Sequence, residues 1–188
     1  INFDDYQERY TTVISTLGRE CRDWAEGETD RAVEAIISEH CSNEDAIVFT
    51  DGSVQRGVKS GWAFTIRVDG ETVAEGSGAV DLTTSSMLME VNAITEALRY
   101  LQLQHHKKAL IVTDSMSTLQ KVRKEYLYAD WVPLISASSL ENVTWIFSPG
   151  HAGVRGNERA DSLAGDAAID GNLTLDPPTV IQLSLIHI

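Results

Sequence analysis

The chain has 188 residues, enough for one well-buried core and short for two. Its composition is that of an ordinary globular protein, no apolar run approaches the roughly 20 residues a bilayer crossing needs, and residues 1–10 are too acidic and polar for a signal peptide. With 28 acidic and 15 basic side chains the formal net charge is −13, which argues against a tight, sequence-independent grip on naked duplex but not against a substrate held through metal ions.

Residues 4–40 are predicted to form two amphipathic helices. Tyr6, Tyr10, Val13, Ile14 and Leu17 recur at helical spacing, as do Ala32, Ala35, Ile36 and Ile37, with Gly27 between the stretches. Residues 1–44 carry 11 of the acidic and 4 of the basic side chains. The pattern then changes to short runs of β-formers over 46–50, 61–68 and 72–80, with Asp69-Gly70 as a hairpin signal. A helix over 84–103 follows, with the apolar stripe Met87, Val91, Ile94, Leu98 and Leu101. Residues 110–113 read as a buried strand and 117–126 as a helix. Residues 131–138 are a helix start or a loop, given Pro133, and 143–147 are a fifth core strand. A glycine-rich loop over 150–156 leads into a helix over 157–168, with Asn157 as its N-cap.

Three segments result: a helical N-terminal extension over 1–44, a mixed α/β domain over 45–170, and an irregular tail over 171–188. The tail contains Pro177-Pro178, and residues 183–188 resemble a translated adapter and are set aside. A hairpin followed by β-α alternation implies a mixed sheet with helices on its faces. Cys21 and Cys41 form neither a disulfide framework nor a metal-ligand spacing. The expected location is intracellular, cytoplasmic or nuclear, with no membrane partner and no small-molecule cofactor. There is no P-loop, dinucleotide fingerprint or Ser/His/Asp arrangement.

The chemistry gathers on acidic residues. Asp51 and Asp114 each end a run of apolar β-formers, and each follows a threonine. Neighbouring parallel strands would bring them together at a carboxyl edge, where open α/β sheets bind ligands. A lone aspartate there would more often just open a turn. Glu90 falls three residues after Met87 and four before Ile94, on the apolar stripe. A carboxylate aimed at the sheet must be paired, protonated or bound to metal. Asp161, in the last helix, is explained as readily by the helix dipole. His151 sits in the glycine-rich loop, where a solvated side chain is the plainer alternative. Together these residues suit two magnesium ions, with manganese as a substitute, in phosphodiester hydrolysis. A mobile histidine nearby would move protons or assist product release.

Thr50-Asp51-Gly52-Ser53, Met89-Glu90 in a long helix, Val112-Thr113-Asp114-Ser115 and the block from Pro149-Gly150-His151 to Asn157-Glu158-Arg159-Ala160-Asp161 occur in the order found in ribonuclease H. The last block is especially similar to the ribonuclease H domain of non-LTR retrotransposon polyproteins. The resemblance covers about residues 45–170. It implies a five-stranded mixed sheet of order 3-2-1-4-5 and hydrolysis of the RNA strand of an RNA–DNA hybrid, leaving a 5′-phosphate and a 3′-hydroxyl. It implies metal binding by Asp51, Glu90, Asp114 and Asp161, and a catalytic loop histidine at His151. Ser85 and Ser86 fall where the family contacts the hybrid backbone, and Gly52, Ser53 and Asn157 complete the expected nucleic-acid contacts. Between Asp114 and His151 the only Lys or Arg residues are Lys121, Arg123 and Lys124, so the basic, Trp-rich handle of the cellular enzymes is missing. Met116 replaces a polar residue common after Asp-Ser. A tethered reverse transcriptase would then supply affinity. The alternatives are a catalytically silent binding domain of the same fold, or another nuclease of that fold such as an integrase or resolvase.

Overall fold

The computed structural model describes residues 11–14, 17, 21, 23–54, 59–80, 85–124, 130–170 and 180–182. In chain order the elements are β1 (Thr11–Ile14), α1 (Glu28–His40), β2 (Ala46–Val54), β3 (Ser60–Val68), β4 (Glu71–Val80), α2 (Ser86–Gln102), β5 (Lys108–Thr113), α3 (Met116–Arg123), α4 (Trp131–Ala137), β6 (Asn142–Phe147), α5 (Arg155–Asp170) and β7 (Val180–Gln182).

The strands form one sheet of order β1-β6-β5-β2-β3-β4-β7. Its middle, β4-β3-β2-β5-β6, is the expected 3-2-1-4-5 arrangement when those five strands are counted alone. β2, β3 and β4 are antiparallel neighbours, while β5 and β6 run parallel to β2. The β3–β4 turn places Asp69 at φ 51° and Gly70 at φ 78°. Positive φ at both positions gives the tight hairpin expected of Asp-Gly.

The period-two alternation of β2 and β5 separates two cores. Ala46, Val48, Ala109 and Ile111 pack with Met89, Ile94, Leu98 and Leu101 of α2, and Trp131 stacks on Trp145 with ring centroids 5.4 Å apart. Ile47, Phe49, Leu110 and Val112 face the other way, against Val33 and Ile37 of α1 and Val154 and Ala160 at the start of α5. Val33 and Ile37 are fully buried, so α1 covers sheet surface that would otherwise meet water. Each side chain buried in this way contributes about 1.5–3 kcal/mol.

Three expectations change. Residues 11–14 are strand, not helix: Thr11 pairs with Val143 and Ile14 with Ile146, in parallel register. An unpaired β6 edge would expose its N–H and C=O groups, and satisfying them outweighs a helical apolar period in so short a segment. Tyr6 and Tyr10 of that expected helix lie outside the described residues. In the tail, Val180–Gln182 pairs with Glu75–Ser77 on the far edge, while residues 171–179 and 183–188 lie outside the description. Finally, α5 starts at Arg155, so Asn157 is inside its first turn and is not its N-cap. Pro133 falls in the first turn of α4, where its missing N–H costs no helical bond.

Candidate active site

β2 and β5 are parallel neighbours with Phe49 opposite Val112, so two residues further on Asp51, still within β2 and paired with Ala63, lies beside Asp114, just past the end of β5. Alternation turns Thr50 and Thr113 toward α2 and the two aspartates toward α5. Both threonines meet Glu90. Thr113 Oγ1 donates to Glu90 Oε1 at 2.7 Å, and Thr50 Oγ1 donates to the same oxygen. Glu90 is only 3% exposed. The threonine preceding each aspartate thus orients the third carboxylate, a role its repetition in the sequence did not disclose.

Oxygens of Asp51, Glu90 and Asp114 lie within 4.8 Å of one another. Gly52 makes this spacing possible: a Cβ there would sit 2.6 Å from Met89 Cβ and 2.9 Å from the Glu90 nitrogen. Across the cleft a Cβ on Gly150 would meet Asp114 Oδ2 at 2.7 Å, so the loop also approaches as bare backbone. Asp161 comes from α5, and His151 is exposed on the loop, at φ 53°. The cleft has a volume of about 290 Å³ and is lined by Asp51, Glu90, Asp114, Asp161, His151, Gly52 and Ser86, with Met87, Ser115 and Ser117.

The other expected contacts are placed differently. Ser53 is half-buried further along β2 and does not line the cleft. Ser85 is the N-cap of α2, its Oγ accepting from the Leu88 N–H at 3.1 Å. Asn157 is 3% exposed, which leaves it little surface to offer a substrate. Its amide instead favours the ionised form of Asp114, although buried Nδ2 closes no hydrogen bond of ordinary length.

The electrostatics follow from burial and crowding. Desolvation drives the Asp51 carboxyl from its ordinary 3.8 to about 9; the Asp114 and Glu90 charges and a hydrogen bond with the Asp161 carboxyl add to this, and the Gly52 N–H opposes it. Desolvation raises Glu90 to about 7, against the Thr113 and Thr50 hydroxyls and with the Asp114 charge. Asp114 is raised by burial and by Asp161, while Asn157 and His151 hold it back. None of the groups with the largest influence on these three acids is a lysine or arginine. Such a set must hold protons or a cation. Carboxylate oxygens crowded at this separation are the donors a hard divalent cation takes, so the residues fit one.

A family model described as RNase H matches residues 43–169. The ribonuclease H of Zymomonas mobilis subsp. mobilis is 33% identical over 146 residues, covering 68% of this chain and 92% of that protein. The ribonuclease H of Nitratidesulfovibrio vulgaris strain DP4 is 33% identical over 155 residues, covering 72% and 97%. Among solved structures, LC11-RNase H1 in complex with RNA/DNA hybrid matches with a TM-score of 0.53 at 20% identity, covering 65% of this chain and 98% of that one. At that identity the likeness is one of fold.

Proposed function

The chain belongs to the ribonuclease H family, and from that membership we propose that it hydrolyses the RNA strand of RNA–DNA hybrids, leaving a 5′-phosphate and a 3′-hydroxyl. The observation that carries this reading is the convergence of Asp51, Glu90 and Asp114 within 4.8 Å at the carboxyl edge of two parallel strands. These three, with Asp161, would hold two magnesium ions, or manganese in their place, and bound ions would activate the attacking water and stabilise the leaving oxygen.

The chain's own residues supply the rest. The Thr50 and Thr113 hydroxyls fix the rotamer of Glu90 before any ion arrives. His151, on a backbone turn at the mouth of the cleft, holds or moves a proton at its imidazole. Gly52 and Ser86 line the cleft where a hybrid backbone would lie, with Ser53 and Ser85 adjacent. Backbone groups and small polar side chains of this kind distinguish RNA by its 2′-hydroxyl. We also place the domain in a retroelement polyprotein beside a reverse transcriptase. That context is supported by the block from Gly150 to Asp161 and by the missing basic handle. An antibody that finds only a free chain of this size in its cells would sink it.

The direct test uses a hybrid labelled on the RNA strand, purified chain and magnesium. The expected result is cleavage of RNA only within the hybrid, dependent on added magnesium and lost in Asp114→Asn. A folded chain that leaves the labelled strand intact would falsify the reading.

A further inference from the structure

The family match begins at residue 43, so α1 lies outside it, yet α1 reaches the elements that carry two cleft residues. Asp30, on the first turn of α1 and 8% exposed, accepts from the Arg155 backbone N–H at 3.0 Å through Oδ1 and from Arg155 Nε at 3.0 Å through Oδ2. Arg155 is the first residue of α5 and the point where the His151 loop ends. That N–H is one of the donors a helix start leaves without an internal partner. No serine, threonine, aspartate or asparagine immediately precedes α5 to cap it, because Val154 is there, fully buried. The cap comes from 125 residues away. Beside the pair, Gly27, Arg31, Gly153 and Glu158 line an open groove of about 550 Å³, while Val33 and Ile37 of α1 share a core cluster with Val154, so the carboxylate bridge adds a directed contact to that packing.

Resting on the ribonuclease reading above, we propose that Asp30 is a positioning residue for the reaction: by capping α5 and gripping Arg155 it fixes the end of the His151 loop and the helix start that presents Asp161. The N-terminal segment is then part of the catalytic unit and not only a cover for the sheet. α1 supplies its own comparison. Glu34, one turn along, makes a bidentate pair with Arg67 at 2.9 and 2.8 Å. This bridge also ties α1 down, and Arg67 shares a groove with Arg155, Gly156 and Arg159 of α5, but the hydrogen bonds of Glu34 end on β3 and do not cap the Arg155 N–H.

The test compares Asp30→Ala, Asp30→Asn and Glu34→Ala in the full chain. Asp30→Ala is expected to lower kcat about tenfold with KM for the hybrid unchanged, since small misplacements of reacting groups are costly. Asp30→Asn, which keeps an acceptor for the Arg155 N–H, should recover most of that loss. Glu34→Ala should lower the melting temperature comparably and leave kcat within about twofold. A second readout needs no activity: in metal-free protein, amide exchange over 155–161 should quicken in Asp30→Ala and not in Glu34→Ala. Equal effects of both alanine variants on kcat and on exchange would overturn the proposal, as would no effect of Asp30→Ala. If the unaltered chain fails to cut hybrid, the ribonuclease reading falls, and the exchange comparison still decides whether Asp30 holds this end of α5.

Discussion

Asp51 faces opposite demands in the metal-free and metal-bound protein. With no cation it is buried among acids, and its carboxyl is held near 9 instead of 3.8. Between those values the folded state binds more protons than the unfolded one, so stability is greatest below the lower value and falls as pH rises through the window. Asp51→Asn removes that contribution. The variant should melt higher than the unaltered chain at pH 8 without metal, with roughly 2–4 °C for each kcal/mol relieved at this chain length. The difference should shrink toward pH 4. Magnesium should reverse the ranking, because binding requires the ionised carboxylate and stabilises only the chain that can supply it. Parallel melting profiles from pH 4 to pH 8, or equal gains on adding magnesium, would remove the crowded-acid account. The sequence made these acids unequally legible. Glu90 announced itself by lying on an apolar stripe, and the structure buries it there. Asp51 and Asp114 were legible as a matched pair at the ends of two apolar runs, although β2 itself continues past Asp51 to Val54. Asp161 was not: with the helix expected to start at Asn157 a dipole effect explained it equally well, whereas α5 starts at Arg155 and leaves Asp161 beyond the first turn, and its approach to Asp51 depends on how α5 crosses the sheet.

Among the elements, the approach of α2 to β2 sets the spacing of the cluster, and Gly52 sets that approach. A methyl group there would have to displace Met89 and the Glu90 backbone. Gly52→Ala should therefore cost about 1–3 kcal/mol, as overpacking does, and should abolish the magnesium-induced rise in melting temperature by moving Glu90 away from Asp51. Gly165→Ala is the control: a Cβ at that position in α5 meets nothing within 4 Å, so helix propensity alone should leave it neutral or about 0.5–1 kcal/mol more stable. Calorimetry with and without magnesium reads both. An intact magnesium response in Gly52→Ala would show that α2 is not held at this distance by the glycine. Core elements with strong local periodicity, such as α2 and the β3–β4 hairpin, were readable in the chain. β1 was not: Val13 and Ile14 fit a helical period as well as a strand, and what decides between them is the open edge of β6, more than 120 residues away. The Asp30 cap was illegible for the same reason, as no local pattern marks a partner that distant.

For the whole molecule, charge limits how the chemistry can be delivered. A net charge of −13 repels a polyanionic hybrid, and the expected cation sites offset this only within the cleft. Few phosphates would then be neutralised by lysine or arginine, so binding by the isolated chain should be weak. Its dependence on salt should be shallow, because the slope scales with the number of phosphate contacts. In the polyprotein context proposed above, affinity would come from a neighbouring module, and tethering is the physical means: a linked module raises the local concentration of hybrid without touching the reacting groups. Joining a double-stranded-RNA or hybrid-binding module to the N-terminus through a flexible linker should lower KM by about 10²-fold. It should leave kcat unchanged, since the added contacts are equally strong in ground and transition states. Steady-state cleavage of the labelled hybrid at several salt concentrations, with and without the fusion, separates the two constants. Tight binding by the isolated chain with a steep salt slope would mean that this surface grips phosphates despite its charge. A fusion that left KM where it was would mean that capture of the hybrid does not limit the reaction at low substrate. Either result would remove the physical case for a tethered partner and leave the carboxylate cleft to act alone.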